Sequence, residues 1–205
     1  MSLSVDYFQV GAHVGNSSND HIFKESFNNK QMILIEPVPY LFKQLQKNYL
    51  EKTKNNTIQF KNYAVSNKDG VLELYVPSES NDFSRYPNWA TQLASTNPEH
   101  IQRHFSDLIV EKISVPCFRL NTLIKELNIS NIEYLIVDTE GHDYDILMDL
   151  DLSIVKPKKI QFENSHMDGV FLTGDKYTHL LNHFKEHGYE KIYEDKFDSI
   201  IKLTN

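Results

Sequence analysis

The amino-acid sequence predicts an α/β fold with a mostly parallel sheet of seven strands, helices on both faces and an antiparallel hairpin at the C-terminus. Three observations support this fold class. Short apolar runs typical of buried strands alternate with segments of helical periodicity. A turn with two glycines follows the first apolar run. Two runs with alternating polarity, 189–193 and 198–203, end the sequence and predict the hairpin.

The predicted elements follow one another along the whole chain. Strands are predicted at residues 5–10, 32–36, 57–65, 71–76, 109–120, 134–138, 159–163, 189–193 and 198–203. Helices are predicted from caps at 16–18 to about 27, and at 40–49, 122–127, 144–150 and 175–187. The Asn-Lys-Asp-Gly turn at 67–70 predicts a hairpin or a bend between the third and fourth strands. We expect one domain over residues 1–205.

Composition excludes several classes of function. The formal net charge is −7, and the sequence has no basic tract that would follow a phosphate backbone, so nucleic acid is not an expected partner. No apolar run approaches the roughly 20 residues that span a bilayer, and the N-terminus lacks a signal-peptide pattern. The single cysteine, Cys117, excludes a disulfide framework. We therefore expect a cytoplasmic protein with no membrane partner.

The glycine turn discriminates between cofactors. A G-x-G-x-x-G frame for a dinucleotide would require glycine at His13 and Asn16, and neither is glycine. Gly11 and Gly15 remain, and they predict a turn that lets the backbone approach a ligand without a pyrophosphate. Glu36 lies 21 residues after Gly15, at the end of the second strand, where a carboxylate can accept hydrogen bonds from ribose hydroxyls. S-adenosylmethionine fits this pattern, whereas a nicotinamide cofactor is disfavoured.

Titratable side chains follow two neighbouring predicted strands. Asp138 ends the strand at 134–138 and is expected to face the cofactor in the active site. Glu140 and His142 follow it, and we expect one of these two to take a proton from a substrate hydroxyl. The next strand ends at Glu163 and is followed by Asn164 and His166, and His166 is a further candidate catalytic residue. Asp138, Glu163 and Asn164 are oxygen donors at adjacent strand ends, and they predict a site for Mg²⁺ or Mn²⁺.

Residues 78–107 form a long stretch without clear periodicity, and we expect a lid or a substrate-facing insertion with its own short helix. Trp89, in this stretch, is a candidate for stacking on a sugar. His100 and His104 have the spacing of a zinc-protease pair, but Ile101 stands where that motif requires glutamate, so we exclude that interpretation.

The order of these motifs resembles the FkbM family of methyltransferases. The matching stretches are FQVGAHVG at 8–15, LIEPVP at 34–39, NYAVS at 62–66, and LNTL at 120–123 leading to IVDTEG at 136–141. The resemblance covers residues 5–165 and implies a Rossmann-like class I methyltransferase fold. It also implies methyl transfer from S-adenosylmethionine to an oxygen of a small molecule or glycan, in modules sometimes joined to glycosyltransferases.

The resemblance carries over to individual residues. It places Asp138 and Glu140 beside the reacting centre. The residues expected to bind the cofactor are Gln9, Gly11, Ala12, Gly15, Glu36, Pro37, Ala64 and Asp138. Gln9 replaces an acid that is usual in the family, which leaves open a non-catalytic cofactor-binding module as an alternative, and a nicotinamide-dependent oxidoreductase is the other.

Overall fold

The computed structural model describes residues 2–16, 21–24 and 28–204 of the chain. The strands within these residues are β1 (Leu3–Val10), β2 (Gln31–Ile35), β3 (Thr57–Lys61), β4 (Ala64–Ser66), β5 (Gly70–Pro77), β6 (Val110–Arg119), β7 (Ile129–Val137), β8 (Lys159–Glu163), β9 (Tyr189–Glu194) and β10 (Asp198–Leu203). The α-helices are α1 (His21–Lys24), α2 (Pro39–Tyr49), α3 (His100–His104), α4 (Leu120–Glu126), α5 (Asp143–Met148) and α6 (Gly174–Glu186). The predicted helix between 16 and 27 falls partly on residues outside the described ranges.

The main sheet has seven strands in the order β3-β2-β1-β7-β8-β10-β9. Strands β3, β2, β1, β7 and β8 are parallel, whereas β10 runs antiparallel to both β8 and β9. The predicted fold class, including the C-terminal hairpin, is therefore confirmed. Since the chain moves outward from β1 in one direction and later returns to β7 on its other side, a crevice opens between the carboxyl ends of β1 and β7.

Each face of the main sheet is covered by its own set of helices. Phe8 and Leu135 point to one face and pack in the same apolar cluster as Leu123 and Leu147, which lie on α4 and α5. Leu34 points to the other face, where it packs with residues of α2 such as Leu45 and Tyr49. This alternation along each strand produces two apolar layers with the sheet between them.

A second sheet of three strands, in the order β4-β6-β5, differs from the prediction. The predicted strand at 57–65 is two strands: β3 pairs with β2 in the main sheet, and β4 pairs with β6 in the small one. Asn62 separates them, because its Nδ2 donates to the backbone oxygens of Glu36 and Pro37 and turns the chain. β4 and β5 each pair with β6 and the chain bends at 67–69, so of the two predicted alternatives the hairpin is wrong and the bend is confirmed.

The stretch at 78–107 contains two 3₁₀ turns, Phe83–Arg85 and Asn88–Gln92, followed by α3. Its buried residues Ala90, Leu93 and Ile101 form a separate apolar cluster with Leu108, which follows the stretch. Ser95 joins the stretch to the small sheet through paired backbone hydrogen bonds with Tyr75. The stretch thus has its own packing. Among the described residues, no helix has the length and apolar character needed to cross a membrane.

Candidate active site

A cavity of about 260 Å³ lies at the carboxyl ends of β1, β2 and β7. Its walls also include residues of the small sheet and of the stretch at 78–107, such as Leu74, Gln92 and Ala94. The predicted site residues that line it are Gln9, Gly11, Ala12, Glu36, Pro37, Ala64, Asp138, Glu140 and His142. The parallel strands bring these residues together from positions far apart in the sequence.

Glu36 is held rigidly at one end of the cavity. It is 4% exposed, and its two carboxylate oxygens accept the backbone N–H groups of His13 and Val38, each at 2.8 Å. His13 is also fixed by its side chain, since its Nε2 lies 2.8 Å from Thr91 Oγ1. Burial raises the pKa of Glu36 to about 7, although the two backbone donors oppose this shift. Each oxygen keeps a lone pair for a further donor.

The two glycines of the turn serve the protein's own packing. A Cβ on Gly11 would lie 1.7 Å from the backbone oxygen of Asp138, so only glycine allows β1 and β7 to meet here. Gly15 packs against the side chains of Tyr49 and Leu45 and is not among the residues that line the cavity. Gly15 therefore seats the turn on α2, and its predicted contact with a cofactor stays a prediction.

Gln9 and Asp138 present polar atoms to the cavity. Gln9 is 8% exposed, and its buried Oε1 has no hydrogen-bond partner among the described residues. The Asp138 side chain is exposed to the cavity and enclosed by protein elsewhere. This enclosure, followed by the nearby charge of Glu140, raises the pKa of Asp138 well above its ordinary value. A cationic ligand would reverse this shift.

Glu140 is clamped by the stretch at 78–107. Its Oε2 lies 3.0 Å from Nε2 of His100, and its backbone oxygen accepts a hydrogen bond from Ser95 Oγ at 3.1 Å. Its backbone has a φ of +53°, a left-handed conformation that is strained for a residue other than glycine. Two contacts from another part of the chain thus hold the Glu140 carboxylate at the cavity wall.

His142 and His166 occupy different surroundings. His142 Nε2 lies 2.8 Å from Ser66 Oγ of β4, and burial lowers the pKa of its ring. His166 lies behind Glu140 and is not among the cavity-lining residues; its Nε2 is 3.8 Å from Glu140 Oε2. Burial lowers the pKa of His166 to about 4. Both rings are therefore neutral near pH 7, and only His142 faces the cavity directly.

The predicted magnesium site of Asp138, Glu163 and Asn164 is not assembled. The amide Nδ2 of Asn164 donates to Asp195 O and to Ser199 Oγ at 3.0 Å, which turns this side chain toward the C-terminal hairpin. The prediction failed because successive residues at a strand end point to opposite faces. Glu163 points toward the histidines, and burial together with the charge of Glu140 raises its pKa well above the ordinary value.

Sequence analysis missed three parts of this site. His13 supplies a backbone donor to Glu36, and its positive φ of 48° gives no signal in the side-chain pattern. His100 was set aside because its local motif was incomplete, and its partner Glu140 is 40 residues away. Asp143 is 1% exposed and accepts the backbone N–H groups of Thr139 and Glu163, so it joins the ends of β7 and β8.

The sheet order and the crevice between β1 and β7 define a Rossmann-like fold of the class I methyltransferase type. The FkbM methyltransferase domain matches residues 9–191 of the sequence, and the chain belongs to the FkbM methyltransferase family. No curated protein matches the sequence.

Solved structures agree on the fold. The FkbM methyltransferase of Methylobacillus flagellatus KT has a TM-score of 0.54 and 14% identity over 100% of this chain. Fibrillarin of Aeropyrum pernix, solved with natively bound S-adenosyl-L-methionine, has a TM-score of 0.50 and 8% identity over 98% of this chain. This chain spans 44% and 66% of those two chains, respectively.

Proposed function

We propose that the chain is an S-adenosylmethionine-dependent O-methyltransferase that acts on a hydroxyl of a small acceptor, and that the acceptor is a sugar or glycan. The observation that carries the proposal is the cavity itself. One end holds a fixed carboxylate, Glu36, and the other places two carboxylates, Asp138 and Glu140, at the wall. A cofactor with ribose hydroxyls at one end and a positive charge at the other complements both ends.

The residues in the cavity fit this cofactor. Glu36 would accept hydrogen bonds from the ribose hydroxyls. Oε1 of Gln9, which has no partner among the described residues, would accept one from the cofactor's ammonium group. Asp138 would lie near the positive charge. Pro37 and Ala64 belong to the apolar part of the wall, which suits a flat base. Like the acid that is usual at this position in the family, Gln9 offers a side-chain oxygen as an acceptor. The hydrogen bond to the cofactor's ammonium group would therefore be retained, but without the negative charge.

The chain's own contribution to the reaction would be positioning and removal of a proton. The bound cofactor supplies an activated methyl group on a positively charged sulfur. Glu140 would accept the proton of the acceptor hydroxyl while the acceptor oxygen forms its bond to the methyl carbon and the carbon–sulfur bond breaks. His100 would hold the Glu140 carboxylate in place through its Nε2. His142 faces the same space from the β4 side and would contact the acceptor.

Two exposed aromatic rings in contact with His104 support a sugar acceptor. Trp89 is 43% exposed and Phe171 is 63% exposed, and both rings pack against His104, with centroids 5.6 Å and 4.6 Å away. Flat apolar rings next to carboxylates suit the C–H faces and hydroxyls of a sugar. The net charge of −7 disfavours nucleic acid as a partner. We further propose that the chain works as a module of a larger protein that contains a glycosyltransferase.

Calorimetry tests the cofactor. We expect S-adenosylmethionine and S-adenosylhomocysteine to bind with one site per chain, and NAD not to bind. Binding of NAD alone would favour the oxidoreductase alternative and contradict the proposal.

Mass spectrometry tests the reaction. The protein is incubated with methyl-labelled cofactor and a panel of sugars and small phenols, and the products are analysed for a labelled methyl group on oxygen. Methylated sugars are the expected products. Cofactor binding without a methylated product from any sugar or phenol would favour a non-catalytic cofactor-binding module.

A further inference from the structure

A cluster of imidazoles and carboxylates lies behind the cavity wall, between three parts of the chain. His100 and His104 come from α3, Glu140 from the loop after β7, and Glu163 and His166 from the end of β8. Ligand atoms of His100, His104 and His166 all lie within 4.8 Å of one another, and the same holds for Glu140, Glu163 and His166. We refer to these five residues as the histidine–glutamate cluster.

The contact between His100 and Glu140 has the length expected between two ligands of one metal ion, and the contact between His166 and Glu163 is slightly longer. His100 Nε2 is 3.0 Å from Glu140 Oε2, and His166 Nε2 is 3.5 Å from Glu163 Oε1. Two ligands that each lie about 2.1 Å from a tetrahedral or octahedral ion are roughly 3.0–3.4 Å apart. The ligand atoms within each group therefore lie near one another, and the contact between His100 and Glu140 brings the two groups together.

Two buried atoms in the cluster have no hydrogen-bond partner among the described residues. These are Nε2 of His104 and Oε2 of Glu163. The Glu163 side chain is only 11% exposed, so water does not readily reach it. A buried polar atom without a partner is destabilising, and such an atom in a folded protein calls for an explanation. The Glu163 oxygen carries a lone pair, and Nε2 of His104 carries one in the tautomer with its proton on Nδ1, as a metal ligand must.

His166 differs from the other two histidines in its hydrogen bonding. Its Nδ1 accepts the backbone N–H of Phe171 at 3.0 Å, which leaves the proton of the neutral ring on Nε2. That proton points toward the carboxylates of Glu140 and Glu163. His166 is thus suited to orient these carboxylates as a neighbour of the ligands.

We propose that the histidine–glutamate cluster binds one first-row transition-metal ion through His100, His104, Glu140 and Glu163. Mixed imidazole and carboxylate donors suit Zn²⁺, Mn²⁺, Fe²⁺ or Co²⁺ and do not suit Mg²⁺, which prefers oxygen. The site differs from the predicted magnesium site in its donors and lies on the other side of Glu140 from the cofactor cavity. The ion fastens α3, and with it the stretch at 78–107, to the ends of β7 and β8.

The test uses the full chain after dialysis against EDTA. We expect Co²⁺ to bind with a stoichiometry of one per chain and to give visible absorption bands, and Zn²⁺ to displace it. Mg²⁺ at the same concentration should leave the bands unchanged. The variant His104→Gln should weaken Co²⁺ binding by more than about tenfold, which is the size of effect caused by loss of even a supporting partner. The control His179→Gln alters an exposed histidine on α6, bonded to Tyr144, and should not change Co²⁺ affinity.

Three results would overturn the proposal: no Co²⁺ or Zn²⁺ bound by the wild-type chain, equal binding of Mg²⁺, or equal loss of affinity in His179→Gln and His104→Gln. Circular dichroism checks that His104→Gln folds. If it does not, Glu163→Gln removes a ligand with little change in shape and takes its place. These measurements contain neither cofactor nor acceptor, so their failure is distinguishable from failure of the proposed methyl transfer.

Discussion

The carboxylates at the two ends of the cavity have opposite surroundings. At the Glu36 end, the chain itself supplies the donors, because the backbone N–H groups of His13 and Val38 each bond one oxygen. At the other end, Asp138 faces the open cavity. Behind the wall at this end, Oε2 of Glu163 has no hydrogen-bond partner among the described residues. The Glu36 carboxylate is thus hydrogen-bonded without a ligand, and a ligand would only add further hydrogen bonds. Among the described residues, no positive charge contributes to the pKa shifts of Asp138 and Glu163, so a proton or a cation would stabilise these two carboxylates.

The pKa directions support this contrast. Burial is the first cause of the raised pKa at Glu36, and the backbone donors oppose it. At Asp138 and Glu163 burial is again the first cause, but the negative charge of Glu140 comes next and raises the pKa of both further. We conclude that the Glu36 end is built for recognition, whereas the Asp138 end is built for chemistry on a charged or proton-donating ligand.

Replacement of the proposed base gives the largest expected effect. Glu140→Gln keeps the shape of the side chain and removes its ability to accept a proton, so we expect kcat to fall by about 10²–10⁴-fold. The affinity for S-adenosylmethionine should change little, because Glu36 is intact. Labelled methyl transfer and calorimetry measure the two quantities. The control Glu133→Gln alters a half-exposed carboxylate paired with Lys158 and should leave kcat unchanged. Unchanged turnover in Glu140→Gln would remove Glu140 from the mechanism.

A substitution at Gly11 would disrupt its close contact with the backbone of Asp138. In Gly11→Ala the new Cβ would lie 1.7 Å from the Asp138 backbone oxygen, at a φ of +78°. We expect the free energy of unfolding to fall by about 3–5 kcal/mol, the sum of overpacking and backbone strain. Gly70→Ala is the matched control: its φ is +133° but no atom lies within 4 Å of its new Cβ. Strain alone predicts a loss of about 1–2 kcal/mol there. Urea unfolding measures both, and equal losses would contradict the role given to the contact.

The contrast between the two ends of the cavity also explains how much of the structure could be predicted from the sequence. The main sheet was predictable because each buried strand carries its own signal: the apolar run at Met32–Ile35 and the Gly11 turn are local patterns. The Glu36 end was predictable for the same reason, since a carboxylate at a strand end follows from the strand itself. The small sheet was not, because β4 is only three residues long and pairs with a strand more than 50 residues later.

The site at the other end depends on tertiary contacts that leave no local pattern. His100 and His104 lie on a helix of five residues whose neighbours have no periodicity, and they meet Glu140 only after the stretch at 78–107 has packed. At Asn164 the local pattern was misleading. Its position at a strand end predicts a metal ligand, but its side-chain amide donates to Ser199 in the C-terminal hairpin. Residue type and spacing predicted that carboxylates and imidazoles lie at this edge of the sheet. Tertiary packing determines which of these side chains contact one another.

Recognition at the Glu36 end can be tested through pH. The pKa of Glu36 is raised from its ordinary value of 4.5 to about 7, so its ionisation destabilises the ligand-free fold as the pH rises through this range. Ribose hydroxyls bond best to the ionised form. We therefore expect the affinity for S-adenosylmethionine to increase as the pH rises from 6 to 7 and to level off above 8. Glu36→Gln should bind the cofactor about 10–100-fold more weakly and lose this pH dependence, measured by calorimetry. A pH dependence retained in Glu36→Gln would assign the titration to another group.

The smallest expected effect concerns the acceptor, which approaches from the end with the carboxylates. Trp89 packs its ring against Phe105, with centroids 5.0 Å apart, and leaves 43% of its surface open. Trp89→Ala removes a flat surface that does not touch the reacting atoms, so KM for a sugar acceptor should rise about three- to tenfold while kcat is retained. Phe197→Ala, at a similarly exposed aromatic on the C-terminal hairpin, is the control and should change neither constant. A fall in kcat with unchanged KM would mean that Trp89 acts through His104 and the carboxylates behind it, and the aromatic surface would then belong to the chemistry of this end instead of its recognition.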